Sequence, residues 1–159
     1  MAKIYFSRII PADIETVWAV LGDFHGIADW VNIIASNTPE DGSGRGTVGS
    51  VRRLTMADGR KVGERLVAYD GVERRYSYEF TEDTKPFPTR RFIATVHILP
   101  VTTENTTFLE WYSEFDADHE VEIQLQAGIT GRYQAFTDDL IARLATSPPL
   151  FSSNSRDFQ

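Results

Sequence analysis

Apolar and polar positions divide the chain into a strand, a helical region, a long run of strands and a last helix. Along Lys3–Ile10 ("KIYFSRII") they alternate at the two-residue period of a half-buried strand, which Pro11 ends because proline cannot donate to a ladder. In "ADIETVWAVLGDF" Ile14, Val17, Trp18 and Leu21 recur at helical spacing, with Gly22 as the stop. "HGIADWVNIIAS" predicts one or two helical turns leading into a strand, and Asn37–Gly46 ("NTPEDGSGRG") has the composition of a loop. From Thr47 to Phe115 strands alternate with Asp58-Gly59, Asp70-Gly71, "EDTKPFPT" and "VTTENT", the spacing of an antiparallel meander. Val121, Leu125, Ile129, Tyr133, Phe136, Leu140 and Leu144 then form one stripe of a long helix, with Asp118 as its candidate cap. The order predicts an α+β fold of one domain over residues 1–146, its curved sheet burying the stripe of the last helix; residues 147–159 are expected to be a flexible tail.

Parity in one hairpin carries the first functional clue. The apolar positions of "SVRRLTM" and "KVGERLVAYD" are the even ones, Leu54 and Met56 on one strand and Val62, Leu66 and Ala68 on the other, and opposed residues share a face. A three-residue loop Ala57-Asp58-Gly59, with Gly59 left-handed, opposes Leu54 to Val62 and Arg52 to Glu64; a two-residue turn would oppose odd to even. Arg52 and Glu64 therefore point inward together. One reading makes them a polar anchor in a greasy pocket; the other makes them a salt bridge at the sheet's end near solvent.

Other inner positions follow from the same alternation. "YSYEF" puts Tyr76, Tyr78 and Phe80 on one face, and "RFIATVHIL" puts Phe92, Ala94, Val96 and Ile98 together. In "TFLEWYSEF" the period alone turns Trp111 inward, away from Glu110 and Tyr112. Phe87, between two stiffening prolines, is either a lid residue or part of a surface turn. Arg132 and Phe136 are the last helix's candidate contributions to a pocket, while Gly128 and Gly131 either leave room for a ligand or let the helix approach the sheet.

Composition narrows the chemistry. The chain has 159 residues, a formal net charge of −7 and no cysteine, so its field repels nucleic acid and anionic lipid, and disulfides and thiolate chemistry are excluded. No stretch has the ~20 apolar residues of a membrane span, and a cytoplasmic location is expected. His25, His97 and His119 lie in different elements without metal-ligand spacing, His25 reading as a solvated loop residue, and no phosphate-binding loop follows a strand. No metal or cofactor is expected.

The segments "SRIIPADIETVWAVLGDFHGIADWVNIIAS", "GSVRRLTMADGRKVGERLVAYD", "RRYSYEF" and "FLEWYSEFDAD" resemble, in order and spacing, the START-like SRPBCC superfamily. Within it the nearest likeness is to polyketide cyclase/dehydrase-like proteins and bacterial relatives of the plant abscisic-acid receptors. The resemblance implies a helix-grip fold: a curved seven-stranded antiparallel sheet around the C-terminal helix, with two short helices after strand 1 and a deep cavity for a hydrophobic small molecule. It also implies that Glu64 and Glu110 are pocket carboxylates and that Tyr78, Phe92, Ala94 and Tyr112 are pocket walls, which turns Glu110 and Tyr112 inward against the period. The receptors' ligand-binding lysine is replaced by Val31, and their gate and latch loops by "MADGRK" and "TKPFPT", which counts against hormone reception.

Three functions are consistent with this reading. A carrier or binding protein would hold a hydrophobic, aromatic or polyketide-like molecule among Leu54, Met56, Tyr78, Phe80, Phe87, Phe92 and Phe136, oriented by Arg52, Glu64 and Glu110. A cyclase or dehydratase would use Glu64 or Glu110 as acid or base, Tyr78 or Tyr112 as proton donor, and Arg52 as a clamp on an enolate oxygen. An interaction domain would fill the cavity with its own side chains. The hydrophobic small molecule is the expected partner, and the protein itself is expected to be a monomer or homodimer.

Overall fold

The computed structural model describes residues 1–146, so the expected tail lies outside the described residues. Strand β1 (Ala2–Ile10) is followed by helix α1 (Ile14–Leu21), a short 3-10 helix (Phe24–Asp29) and strand β2 (Ile34–Glu40). Strands β3 (Val51–Met56), β4 (Lys61–Asp70), β5 (Arg75–Phe80), β6 (Arg91–Val101) and β7 (Thr106–Asp116) form the meander, and α2 (His119–Thr146) closes the fold. The seven strands make one sheet in the order β1-β7-β6-β5-β4-β3-β2, antiparallel throughout. This is the helix-grip architecture, with both short helices spanning the crossover from one sheet edge to the other.

Local chemistry sets these elements. Asp13 caps α1, its carboxylate accepting from the Thr16 amide at 3.0 Å and the Thr16 hydroxyl at 2.7 Å. Gly22 follows because a Cβ there would lie 2.5 Å from the Trp18 ring. The α2 stripe is buried at Leu125, Ile129, Tyr133, Phe136 and Leu140, and it packs on the inner face of the sheet. Asp118 accepts the Glu122 amide through its backbone carbonyl, while its side chain holds Arg90 at 2.8 Å.

The hairpin register is the one parity predicts. Leu54 opposes Val62 and Arg52 opposes Glu64, and the Met56 amide donates to the Arg60 carbonyl at 2.8 Å across the three-residue loop. Gly59 has φ +89°, a conformation that strains any side-chain-bearing residue.

Three stretches depart from the sequence reading. Asn37–Glu40 is part of β2 rather than a loop; β2 is an edge strand, where Pro39 leaves no central ladder bond unmade. A bulge between Leu66 and Ala68 reverses the phase of β4, so that Ala68 is exposed and Tyr69 turns toward Tyr76. Gly128 and Gly131 sit on the solvent side of α2, where a Cβ would meet no atom within 4 Å, so they neither widen a pocket nor admit close packing.

Candidate functional site

The cavity lies between the inner face of the sheet and the middle of α2. Strands β3, β4 and β5 contribute Leu54, Met56, Val62, Glu64, Tyr78 and Phe80; β6 contributes Phe92. Ile129, Arg132, Tyr133 and Phe136 come from α2, Pro86 and Phe87 from the loop after β5, and Ile27 and Ile34 from the crossover. Phe80, Phe87 and Phe92 form an aromatic cluster with ring centroids 4.8 to 6.1 Å apart. Phe87 is thus part of the wall.

Among the described residues Glu64 is the one carboxylate on this wall, and it is held by Arg52. Arg52 is 1% exposed; its Nε donates to Glu64 Oε2 at 2.6 Å and its Nη1 to the Phe24 carbonyl at 2.9 Å. The guanidinium also lies 4.1 Å from the Phe24 ring centre and 4.9 Å from that of Tyr78. The couple is therefore deep rather than at the sheet's end, with Glu64 facing the cavity and Arg52 behind it. Removing either partner would leave the other charge buried and uncompensated. Among the described residues, Arg52 Nη2 is buried without a hydrogen-bond partner.

Two tyrosines continue the polar strip. The Trp111 indole donates to the Tyr78 hydroxyl at 3.2 Å, and Tyr133 shares a hydrogen bond with Ser113. Trp111 stacks on Tyr133 with centroids 4.6 Å apart and rings 13° from parallel. Burial pushes the hydroxyl pKa of both tyrosines well above the ordinary value, so at neutral pH each is a proton-bearing donor or acceptor rather than a phenolate. Burial likewise pushes Tyr76 up to about 12.

Several expected site residues lie elsewhere. Inner positions of β7 are Leu109, Trp111, Ser113 and Phe115, all buried, so Glu110 and Tyr112 face outward. Glu110 accepts from the Tyr5 hydroxyl at 2.7 Å and lies 3.0 Å from His97 Nδ1; Tyr112 stacks on Tyr5 beneath Lys3. The two-residue period was decisive here, and neither residue lines the cavity. Ala94 is fully buried on the inner face but contributes no cavity wall, and Gly128 points to solvent.

Tyr133 on the wall and His25 near the Arg52 couple escaped the sequence reading. Tyr133 was legible only as part of the α2 stripe, although a hydroxyl amid aliphatic and phenyl neighbours is a signal for a polar partner opposite. His25, expected in solvent, is half-buried with Nε2 3.0 Å from Ser50 Oγ. Burial first, and then the Arg52 charge, hold its pKa below the usual histidine value. Nothing in the local sequence marks this, since the contact depends on β3 lying beside the 3-10 helix.

The cavity holds about 50 Å³, room for a few waters and well below the roughly 300–1,000 Å³ of small-molecule pockets. A ligand of a dozen heavy atoms needs part of the wall to move. A wider hollow of about 360 Å³ lies beside it over β3 and β4, but it is shallow, open and lined by charged groups including Arg53, Lys61 and Asp83. Arg53 is already engaged there by Glu40 and Asp83.

A family model described as polyketide cyclase / dehydrase and lipid transport matches residues 1–145. The chain belongs to this family. Among solved structures, it is similar to XoxI from Bacillus cereus, at 27% identity and a TM-score of 0.79, covering 92% of this chain and 97% of that one. A protein from Thermobifida fusca is similar at 26% identity and a TM-score of 0.81, over 91% and 94% of the two chains. Norcoclaurine synthase from Thalictrum flavum, solved with dopamine and hydroxybenzaldehyde, shares the fold at 16% identity and a TM-score of 0.71, over 93% and 88%. Together these matches set the protein in the START-like SRPBCC superfamily. No curated protein matches. Among the described residues no helix is long and apolar enough to cross a membrane, and no cluster of three or more His, Cys, Asp or Glu side chains is arranged to hold a metal.

Proposed function

We propose that this protein binds a hydrophobic small molecule between the sheet and α2, with Glu64 as the polar contact. The observation that carries this reading is a cavity walled by aliphatic and aromatic side chains whose single carboxylate among the described residues is fixed by a buried arginine. Apolar walls supply most of the binding free energy, and a rigid, oriented polar group selects the pose. Norcoclaurine synthase, solved with dopamine and hydroxybenzaldehyde, is an instance of the same fold beside aromatic molecules; what supports binding in this chain is its own lining.

Native mass spectrometry of the purified protein and thermal shift against a panel of apolar ligands test it. A bound small molecule, or a melting temperature rising with ligand concentration as binding to the folded state requires, is the expected result. Ile129→Phe, which fills the cavity from α2, should suppress the shift. A panel that neither appears as adducts nor raises the melting temperature of the native chain would reject the reading.

A second reading, a cyclase or dehydratase, is favoured by one observation: Glu64 shares the cavity with Tyr78 and Tyr133, two hydroxyls that keep their protons. A carboxylate beside two neutral donors is the minimum for moving a proton and steadying an enolate oxygen. Here Glu64→Gln, with its urea midpoint measured alongside because Arg52 loses its charged partner, should abolish turnover while binding by the apolar walls is weakened but not lost.

A further inference from the structure

The cavity wall carries a charge that the fold leaves unmatched. Arg132 is half-buried on α2, and its guanidinium carbon lies 5.8 Å from the ring centre of Phe87. Among the described residues no carboxylate pairs with it, and its helical neighbours three and four positions away are Gly128, Ile129, Ala135 and Phe136, none acidic. Arg8, Arg53, Arg65, Arg74 and Arg90 each hold a carboxylate, whereas Arg132 meets none among the described residues although it lines a cavity. Glu64 does not answer it, because its charge is matched by Arg52 at 2.6 Å. The wall and the group behind it therefore carry one cation in excess.

The surrounding chemistry says what would match it. Arg132 stands with Val62, Phe80, Pro86 and Phe87 among the half-exposed wall residues, which together form the mouth, while the rest of the lining is buried and, apart from Glu64 and two tyrosines, apolar. A half-desolvated guanidinium with only an aromatic face for company is stabilised by an anion, and its planar fork suits a carboxylate. We propose that the ligand is an organic acid with an apolar body, its carboxylate bound by Arg132 at the cavity mouth as Phe87 moves aside. This rests on the binding reading above and adds the ligand's charge and orientation.

The test compares two acids, dodecanoate and naphthylacetate, each with its methyl ester, by calorimetry below micellar concentrations on the full chain. At least one acid should bind about tenfold or more tightly than its ester, the difference expected of a charge-assisted contact. Arg132→Gln should remove that preference, bringing the acid down to the affinity of its own ester measured on the same variant, with circular dichroism and the urea midpoint reporting that the variant is folded, and Arg132→Lys should restore part of it. Equal binding of acid and ester, or an acid preference that survives in Arg132→Gln, overturns the assignment while the cavity reading stands. Failure of all four compounds to bind overturns the assignment, and it overturns the cavity reading as well only when native mass spectrometry and the wider apolar panel also show no ligand.

Discussion

Trp111 and Tyr112 are neighbours in β7 with opposite surroundings. Trp111 is 1% exposed, stacked on Tyr133 and bonded to Tyr78, whereas Tyr112 lies on the outer face against Tyr5 and Lys3. Trp111→Ala should therefore destabilise by about 3–5 kcal/mol, because it removes a core ring together with the indole bond to the Tyr78 hydroxyl. Tyr112→Ala should cost about 1 kcal/mol or less. Urea unfolding of both variants measures the difference, and a larger loss for Tyr112 would mean that β7 is registered the other way. The alternation in "TFLEWYSEF" makes this assignment by itself, whereas a likeness of segments to hormone receptors does not fix which face each strand presents. Glu64 and Arg52 were legible for the opposite reason. Their facing follows from counting across a turn whose glycine allows one geometry.

At the scale of elements, what could be read depended on whether one residue broke the period. The β3–β4 hairpin, the inner faces of β5 and β6 and the stripe of α2 follow simple spacing and match the structure. The far end of β4 does not, because the bulge after Leu66 adds a residue that no composition signal marks. β2 was hidden because an edge strand tolerates Asn, Pro and Glu that would disqualify a central one. Glycine divides in the same way. Gly59 at φ +89° is required by its turn, so Gly59→Ala should destabilise by about 1 kcal/mol. Gly128 lies in the exposed interior of α2 with open space around it, so Gly128→Ala should stabilise by about 0.5–1 kcal/mol. Thermal denaturation of the pair should give shifts of opposite sign. A destabilised Gly128→Ala would contradict the solvent-facing placement.

For the whole molecule the titrating groups predict how stability depends on acid. The His25 pKa is lowered by burial and by Arg52. Asp13, Glu110 and Asp116 are also held low: Thr16 bonds Asp13, Arg90 bonds Asp116, and at Glu110 desolvation opposes the shift but is overcome by the bonds from Tyr5 and His97. A group whose folded pKa is depressed binds its proton more readily unfolded, so its contribution is complete above the unfolded pKa and is lost as pH falls toward the folded one. Loss at His25 begins below its ordinary value of 6.5, and loss at the carboxylates begins below about 4. Urea midpoints should hold above pH 7 and fall in two stages, and His25→Gln should remove the upper stage alone. An upper stage that persists in that variant would assign it to another group.

The loop bearing Phe87 is tied to itself: the Lys85 ammonium donates to the Thr89 carbonyl at 2.8 Å, closing a ring of five residues. Its approach is pinned by Thr84, which accepts the Gly63 amide at 2.7 Å. The segment is thus a small turn braced by its own hydrogen bond and anchored to β4 through Thr84. With both ends of the turn held by backbone partners, changes confined to residues 86–88 are expected to alter the rim of the cavity and spare the seven-stranded register.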